Sequence, residues 1–324
     1  MQQAETTAEA KGNASAIANL SSKAQALLRN VNSVLVGQSQ AVRLAVIAFL
    51  SGGHVLIEDV PGVGKTLLAK SLAGSVQSNF KRIQCTPDLL PSDICGVSIF
   101  DSKEGTFKFI PGPIFTNILL ADEINRATPR TQSSLLEAME ENQVTTDGAT
   151  RKLPELFFVI ATENPIEYHG TFPLPEAQLD RFMLSLSLGY PKIEQEIEIL
   201  DKTLDETAFT VSSVLSEEDV LEARQAIRNV HVDPAVKKYI VHIVQATRKY
   251  PAIVLGVSPR GSQLLMRAAQ AAAFLDGRNY VKPDDVKQLG PYVLGHRIIP
   301  KIRDNRVSHA ELIERVLEQV AVPV

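Results

Sequence analysis

The stretch EDVPGVGKT, residues 58–66, constrains this chain more than any other. A glycine-rich loop that ends in Gly-Lys-Thr is typical of a phosphate-binding loop between a buried strand and a helix. The full pattern has a glycine five places before the Gly-Lys pair, and here Asp59 stands at that place. Because Asp tolerates turns and left-handed backbone better than most residues, we expect the loop still to bind phosphate.

The residues around this loop provide what a nucleotide triphosphate requires. A short apolar run, His54 to Ile57, precedes the loop, and a helical pattern follows it. Gly62 and Gly64 leave backbone N–H groups open to an anion at the start of that helix. Lys65 is placed to reach the terminal phosphates, and the Thr66 hydroxyl can bind Mg²⁺. On this stretch alone, a chance glycine-rich turn remains the alternative.

Two further motifs follow the loop in the order that a nucleotide hydrolase needs. The run ILLADEINRA, residues 118–127, is an apolar strand that ends in Asp122 and Glu123. In such sites the first acid helps to hold Mg²⁺, and the second polarises the attacking water. Asn164, in the later motif ATENP, is placed to orient that water beside Glu123. Acid pairs also occur in surface loops and Asn-Pro in ordinary turns, so the order of the motifs carries the prediction.

The hydrophobic pattern predicts an α/β fold in the first part of the chain. Continuous apolar runs alternate with helical patterns, which is typical of a parallel sheet covered on both faces. Ligands of such sheets bind at the carboxyl ends of the strands. Residues 95–116 and 142–152 interrupt the pattern, and Asp147-Gly148 in the second excursion predicts a hairpin turn.

After Tyr190-Pro191 the strand-like runs end, and the remaining pattern is helical. Helix-start signals at Ser216, Asp233, Ser258 and Lys282-Pro283 support this interpretation. The predicted helices are 192–203, 216–229, 233–249, 258–275 and 283–294. We therefore predict a flexible arm over residues 1–15, an αβα nucleotide-binding domain over 16–195 and an all-helical domain over 196–324.

Composition excludes several other classes of protein. The formal net charge of −4 over 324 residues indicates no general attraction to nucleic acid or anionic membranes. The two cysteines lack CxxC spacing, and no histidine pair has metal-ligand spacing, so we expect neither a disulfide framework nor a zinc site. The first twenty residues lack the pattern of a signal peptide, and no apolar run is long enough to span a membrane. A cytoplasmic protein is the resulting expectation.

Several stretches together resemble the MoxR branch of the AAA+ ATPases. They are EDVPGVGKT, FIPGPIFTNILLADEINRA, LLEAMEE, ATENP, GTFPLPEAQLDRF and GVSPRG, within about residues 20–320. The Asp at the first loop position is part of this resemblance. The resemblance implies a five-stranded αβα domain followed by a helical lid, with ATP and Mg²⁺ between them. It also implies that residues 95–116 are the helix insertion of this branch, and that 142–152 form the hairpin before the strand that ends at Asn164.

The resemblance assigns roles to further residues. Arg181, in LDRF, is implied to be an arginine finger that acts on the nucleotide of the neighbouring subunit, so a homo-oligomeric ring, a hexamer, is expected. Arg260, in SPRG, is implied to contact the γ-phosphate within its own subunit. From the residues alone, Arg181 could instead pair with Asp180 or another acid, and Arg260 could be an ordinary charge in a first helical turn. The residues expected to hold the nucleotide are Val36, Gly37, Gln38, Pro61, Gly62, Val63, Gly64, Lys65, Thr66 and Leu67.

One position departs from the expected pattern. His169 stands where an acid is expected before the glycine, and it is either a surface histidine or part of a subunit interface. For function, the resemblance implies a chaperone-like remodeller that works with von Willebrand factor A domain proteins in metal insertion or maturation of protein complexes. The alternatives are a nucleotide-gated scaffold with little turnover and, less favoured by the acidic charge balance, a nucleic-acid motor.

Overall fold

A computed structural model of the chain describes residues 2–165, 170–203, 210–301 and 307–323. The helices are α1 (Gln2–Asn32), α2 (Ser39–Ser51), α3 (Lys65–Ser75), α4 (Pro91–Cys95), α5 (Pro129–Glu141), α6 (Glu176–Leu179), α7 (Ile193–Thr203), α8 (Glu217–Arg228), α9 (Pro234–Lys249), α10 (Pro259–Leu275), α11 (Pro283–Leu294) and α12 (His309–Gln319). Within these described ranges, no helix combines the length and the apolar character that crossing a bilayer requires.

The strands form one central sheet and three small pairs. They are β1 (Val55–Glu58), β2 (Phe80–Gln84), β3 (Gly96–Asp101), β4 (Thr106–Pro111), β5 (Ile118–Asp122), β6 (Gln143–Thr146), β7 (Ala149–Lys152), β8 (Phe158–Glu163), β9 (Leu184–Leu186), β10 (Ile253–Leu255) and β11 (Ile299–Pro300). The central sheet has five strands in the order β2-β5-β8-β1-β9, and every neighbouring pair is parallel. The predicted α/β fold with a five-stranded parallel sheet is therefore confirmed.

The apolar runs become the strands inside this sheet. Strands β1, β5 and β8 are almost wholly buried, because helices cover both faces of a parallel sheet. The edge strand β2 has no such run. In its sequence FKRIQ only Ile83 is buried, so hydrophobicity alone did not predict it.

Both excursions from the sheet contain a hairpin. Strands β6 and β7 pair through a turn in which Asp147 and Gly148 have φ values of 54° and 72°, as a two-residue hairpin turn requires. The first excursion differs from the implied helix insertion. The five-residue helix α4 ends at Cys95, where this excursion begins, and the antiparallel pair β3–β4 makes up most of residues 95–116.

The carboxyl-terminal part is mainly helical, as predicted, and four of the predicted start signals are the helix caps. Ser216 and Asp233 each accept a hydrogen bond from a backbone N–H of the first turn, which satisfies a donor that the helix itself leaves open. The prediction of an all-helical domain was wrong in one respect. The short strands β10 and β11 pair there, because residues far apart in sequence meet across the chain.

The helical part and the sheet part share one apolar core. Helices α1 and α2 contact α8 and α10, and a single cluster of buried side chains continues from α2 through β1 into α10 and α11. The division near residue 195 stays a prediction, and it does not separate two independent cores. Residues 2–15, predicted as an arm, form the amino-terminal half of α1.

Candidate functional site

A cavity of about 410 Å³ lies at the carboxyl ends of the central strands. Its position follows from the topology, because neighbouring parallel strands direct their carboxyl ends to one edge of the sheet. The residues that line it come from the phosphate-binding loop and from the ends of β2, β5 and β8. They are Pro61, Gly62, Gly64, Lys65, Thr66, Leu67, Arg82, Gln84, Asp122, Glu123 and Asn164.

The loop adopts a conformation that requires glycine at two places. Gly62 and Gly64 have φ values of 86° and 102°, a region that side chains with a Cβ rarely enter. Gly64 is the residue before α3, so its backbone and the first N–H groups of that helix face the cavity. Unpaired N–H groups and the positive end of the helix dipole favour a bound phosphate.

Asp59 has a structural role that differs from the expected one. Its carboxylate accepts hydrogen bonds from the Ser187 hydroxyl at 2.9 Å and from the backbone N–H groups of Leu188 at 2.7 Å and Gly189 at 2.8 Å. Among the residues that the structure describes, the non-glycine positions with positive φ do not include Asp59. The Asp therefore serves as an acceptor that fastens the loop to the end of β9, and left-handed backbone is not the reason for it.

Lys65 lines the cavity, and its ammonium group is held in place by a hydrogen bond. Its Nζ donates to the backbone oxygen of Asp59 at 2.7 Å, and only 8% of the residue is exposed. Burial lowers the pKa of Lys65, and the nearby carboxylates of Asp122, Asp59 and Glu123 act against that shift. A cation that is partly removed from water, and that lies beside N–H groups at the start of a helix, strongly favours the binding of an anion.

The two acids at the end of β5 have different surroundings. Asp122 accepts from the Thr162 hydroxyl at 2.6 Å and forms an ion pair with Arg82 at 2.6 Å. Glu123 accepts from Gln84 at 2.9 Å and from Arg126 at 3.0 Å. Glu123 also has a φ of 56°, and such strained backbone is found at sites where a side chain must be aimed. Both carboxylates face the same cavity as Lys65 and Asn164.

The donors in this cavity fit magnesium. The Thr66 hydroxyl and the Asp122 carboxylate are hard oxygen ligands, and both line the cavity. No cluster of three or more His, Cys, Asp or Glu suited to a metal occurs among the described residues. Proteins commonly hold Mg²⁺ through one or two oxygen-bearing side chains together with water and the phosphates of a nucleotide.

A second, apolar cavity of about 320 Å³ adjoins the first and shares Gly62, Gly64 and Leu67 with it. Val36 and Gln38, two of the residues expected to hold the nucleotide, line it, and Gln38 donates to the backbone oxygen of Val63 at 2.9 Å. Its apolar character suits a flat purine ring. The remaining lining residues are Val34, Leu35, Val63, Pro191 and Ile199.

Gly37 stands in the chain between Val36 and Gln38, two residues that line this second cavity. It has a φ of 79°, and a Cβ there would meet the Gln195 side chain at 2.3 Å. Gly37 therefore allows the loop before α2 to approach α7 closely. It is not among the described residues that line this cavity.

The two predicted arginines lie together on another part of the molecule. Arg181 donates through Nε to Oε2 of Glu140 at 3.0 Å, and Arg260 donates through Nη1 to Oε1 of the same residue at 2.5 Å. Within the described ranges, neither arginine lines the 410 Å³ cavity. Glu140 holds Arg260 beside Arg181 in this geometry, which leaves the expected contact of Arg260 with the phosphate of its own subunit untested.

Sequence comparisons agree with this geometry. The sequence profile of the ATPase family associated with various cellular activities (AAA) matches residues 54–184, and that of the AAA lid domain matches residues 245–316. Chaperone MoxR1 of Mycobacterium tuberculosis is 42% identical over 90% of this chain and 80% of its own length. The chain belongs to the MoxR family of AAA+ ATPases.

Two further relatives extend over nearly the whole MoxR-type chain. A Bacillus subtilis protein of uncharacterised function, YeaC, is 50% identical over 92% of this chain and 94% of its own length. A crystal structure of an ATPase candidate from Cytophaga hutchinsonii superposes with a TM-score of 0.90 at 38% identity, over 98% of this chain and 99% of that one. The fold of the two parts is thus shared along their full length.

The MoxR motifs did not reveal several residues that support the arginines. Arg297 is buried and forms an ion pair with Asp180 at 2.7 Å, and the Ser258 hydroxyl donates to the same carboxylate at 3.1 Å. Asp180 therefore joins the segment that carries Arg181 to the lid. Glu140 lies inside the motif LLEAMEE, but nothing in that stretch indicates which acid meets an arginine. His169, the departure from the MoxR pattern, lies outside the described residues.

Proposed function

We propose that this MoxR-type protein hydrolyses ATP with Mg²⁺ and uses the energy to remodel other proteins. The observation that carries the proposal is the joint placement of Lys65, Asp122, Glu123 and Asn164 around one cavity beneath the phosphate-binding loop. Its apolar neighbour of about 320 Å³ has the size and lining for the adenine base. A cytoplasmic location is part of this proposal.

Each group in the cavity has a proposed part in the reaction. The backbone of Gly62–Gly64 and the Lys65 ammonium would bind the phosphates, and Thr66 and Asp122 would hold Mg²⁺, whose charge would offset theirs. Glu123 accepts a proton from the attacking water, and Asn164 orients that water. Asp122 and Glu123, which pair with Arg82 and Arg126 in this structure, would have to release these arginines to take up these roles.

The two arginines are proposed to serve the site of a neighbouring subunit. The 13-residue helix α5 begins after the acid pair, and Glu140 lies near its far end. It is about 18 Å along the axis from the Thr128 cap, at 1.5 Å per residue. Because Glu140 holds both arginines there, we assign Arg181 and Arg260 together to the neighbour's γ-phosphate. A ring, with six subunits as in the sequence expectation, provides such a neighbour at every site.

The biological role proposed is that of a chaperone. The name of the mycobacterial relative, Chaperone MoxR1, supports this class, because that protein is 42% identical to this chain over the residues that align. A von Willebrand factor A domain protein is the proposed partner, and metal insertion or maturation of its complex is the proposed task. The partner and the task derive from the family resemblance alone.

One experiment separates this role from a nucleotide-gated scaffold. A Glu123→Gln variant keeps the phosphate loop and lacks the base, so it should hold ATP without turnover. Affinity capture from native lysate with ATP and Mg²⁺, compared with ADP, should enrich a partner only with ATP. Equal capture with both nucleotides, together with wild-type turnover that stays near zero at every protein concentration, would favour the scaffold. A salt-dependent shift with DNA would favour the nucleic-acid motor.

A further inference from the structure

The pairing of Glu140 with two arginines joins three segments that are far apart in sequence. Glu140 belongs to the last turn of α5, Arg181 follows α6, and Arg260 is the second residue of the lid helix α10. One carboxylate oxygen faces each guanidinium. The side chains are 35%, 26% and 39% exposed, so this cluster lies at the surface and is accessible to another subunit.

The chemistry of the cluster favours a positioning role. Two guanidinium groups this close repel each other, and a carboxylate between them offsets that repulsion and limits their rotation. The two arginines in turn lower the pKa of Glu140, chiefly through the hydrogen bond from Arg260, so the carboxylate stays charged. A guanidinium has five N–H donors, and Glu140 engages the Nε edge of Arg181, which directs the Nη end elsewhere.

We propose that Glu140 is a positioning residue that presents Arg181 and Arg260 as one rigid two-cation unit to the γ-phosphate of the neighbouring subunit. This proposal rests on the proposed function, in which Arg181 acts across the subunit boundary. It adds Glu140 to the two arginines as a third functional residue. It also makes ATP turnover at one site depend on α5 of the next subunit. Preorganised cations act on the transition state without first having to be ordered.

The direct test replaces the carboxylate by its neutral isostere. Glu140→Gln should lower kcat by roughly tenfold and leave ATP affinity within about twofold, because the arginines act on the transition state and not on ground-state binding. The matched control is Glu141→Gln, an exposed acid next in sequence, which should keep the wild-type kcat. An unchanged kcat in Glu140→Gln would overturn the proposal. A raised kcat would also overturn it, since Glu140 would then mask the arginines.

Mixed rings distinguish positioning across the boundary from a defect within the subunit. Lys65→Ala subunits have no working phosphate loop but keep the arginine cluster, whereas Glu140→Gln subunits keep the loop. Equal mixtures should therefore turn over ATP faster than the sum of the two separate proteins. Restoration requires a folded Glu140→Gln subunit, so it also excludes misfolding as the cause of the loss.

A reference mixture separates this inference from the proposed function. Arg181→Ala mixed with Lys65→Ala should be restored in the same way. If this reference is restored and the Glu140→Gln mixture is not, the positioning role of Glu140 is wrong and the action of Arg181 across subunits stands. If the reference is not restored either, action across the boundary fails, and the role of Glu140 fails with it.

Discussion

The phosphate cavity and the arginine cluster are the two halves of the proposed site, and they are built in opposite ways. The cavity is formed by one loop and the ends of adjacent strands in a single sheet. The cluster joins α5, the segment after α6 and the lid helix α10 through one carboxylate. Local motifs thus specify the phosphate cavity, whereas the arginine cluster, the other half of the proposed site, depends on long-range packing.

The largest effect should come from the cluster. Arg181→Ala should lower kcat by roughly a thousandfold or more, the contribution typical of an arginine finger, while ATP binding by the same subunit is retained. Phosphate release and equilibrium ATP binding measure the two properties separately. Arg228→Ala, an exposed arginine in α8, is the matched control. Loss of ATP binding in Arg181→Ala would show that the two halves are not separate.

On the cavity side, the corresponding variant is Glu123→Gln. It should lower phosphate release by roughly a hundred- to a thousandfold, because a positioned general base contributes about that much. ATP binding should persist, since the phosphate loop is unchanged. Normal steady-state release from this variant would refute the assignment of Glu123. Lys65→Ala provides the contrast, because it should weaken ATP binding itself.

The stability of an Arg297 variant tests how the arginine cluster is held in place. Arg297 is 6% exposed, and it donates to backbone oxygens of Asp180, Phe182 and Met183 besides its ion pair with the Asp180 carboxylate. Arg297→Met leaves Asp180 without its cationic partner, so the free energy of unfolding should fall by about 3 kcal/mol. Chemical denaturation measures this quantity.

The control for Arg297 is Arg43→Met. Arg43 pairs with Asp276 at the surface, so its replacement should cost about 1 kcal/mol or less. Equal losses in the two variants would show that Arg297 does not anchor the segment that carries Arg181.

The smallest predicted effect concerns the strand that leads into Asn164. Burial, and to a lesser degree the charge of Glu58, raises the pKa of Glu163 to about 7. The folded state therefore favours the protonated acid, and this stabilisation is present below pH 4.5 and lost as the pH rises through 7. At pH 8, Glu163→Gln should be more stable than wild type by about 2 kcal/mol, with little difference at low pH. Denaturation at both pH values checks this, and a pH-independent difference would contradict it.

Some strands of the central sheet could be predicted from the sequence and one could not, and the reason is physical. Buried strands such as β5 and β8 are apolar along their whole length, so they could be predicted. The edge strand β2 exposes Lys81 and Arg82 to solvent and carries no such signal, yet it contributes Arg82 and Gln84 to the cavity. Sequence patterns report burial, and an edge strand is only partly buried.

The sequence by itself determined the α/β class, the phosphate loop and the order of Asp122, Glu123 and Asn164. These depend on contiguous residues and on strand topology, which short-range patterns encode. Only the tertiary structure decided that Asp59 fastens the loop to the end of β9, and that Glu140 holds Arg181 beside Arg260. Such contacts join residues that are tens of positions or more apart in sequence. The two side chains meet only when the core has packed and brought their segments together.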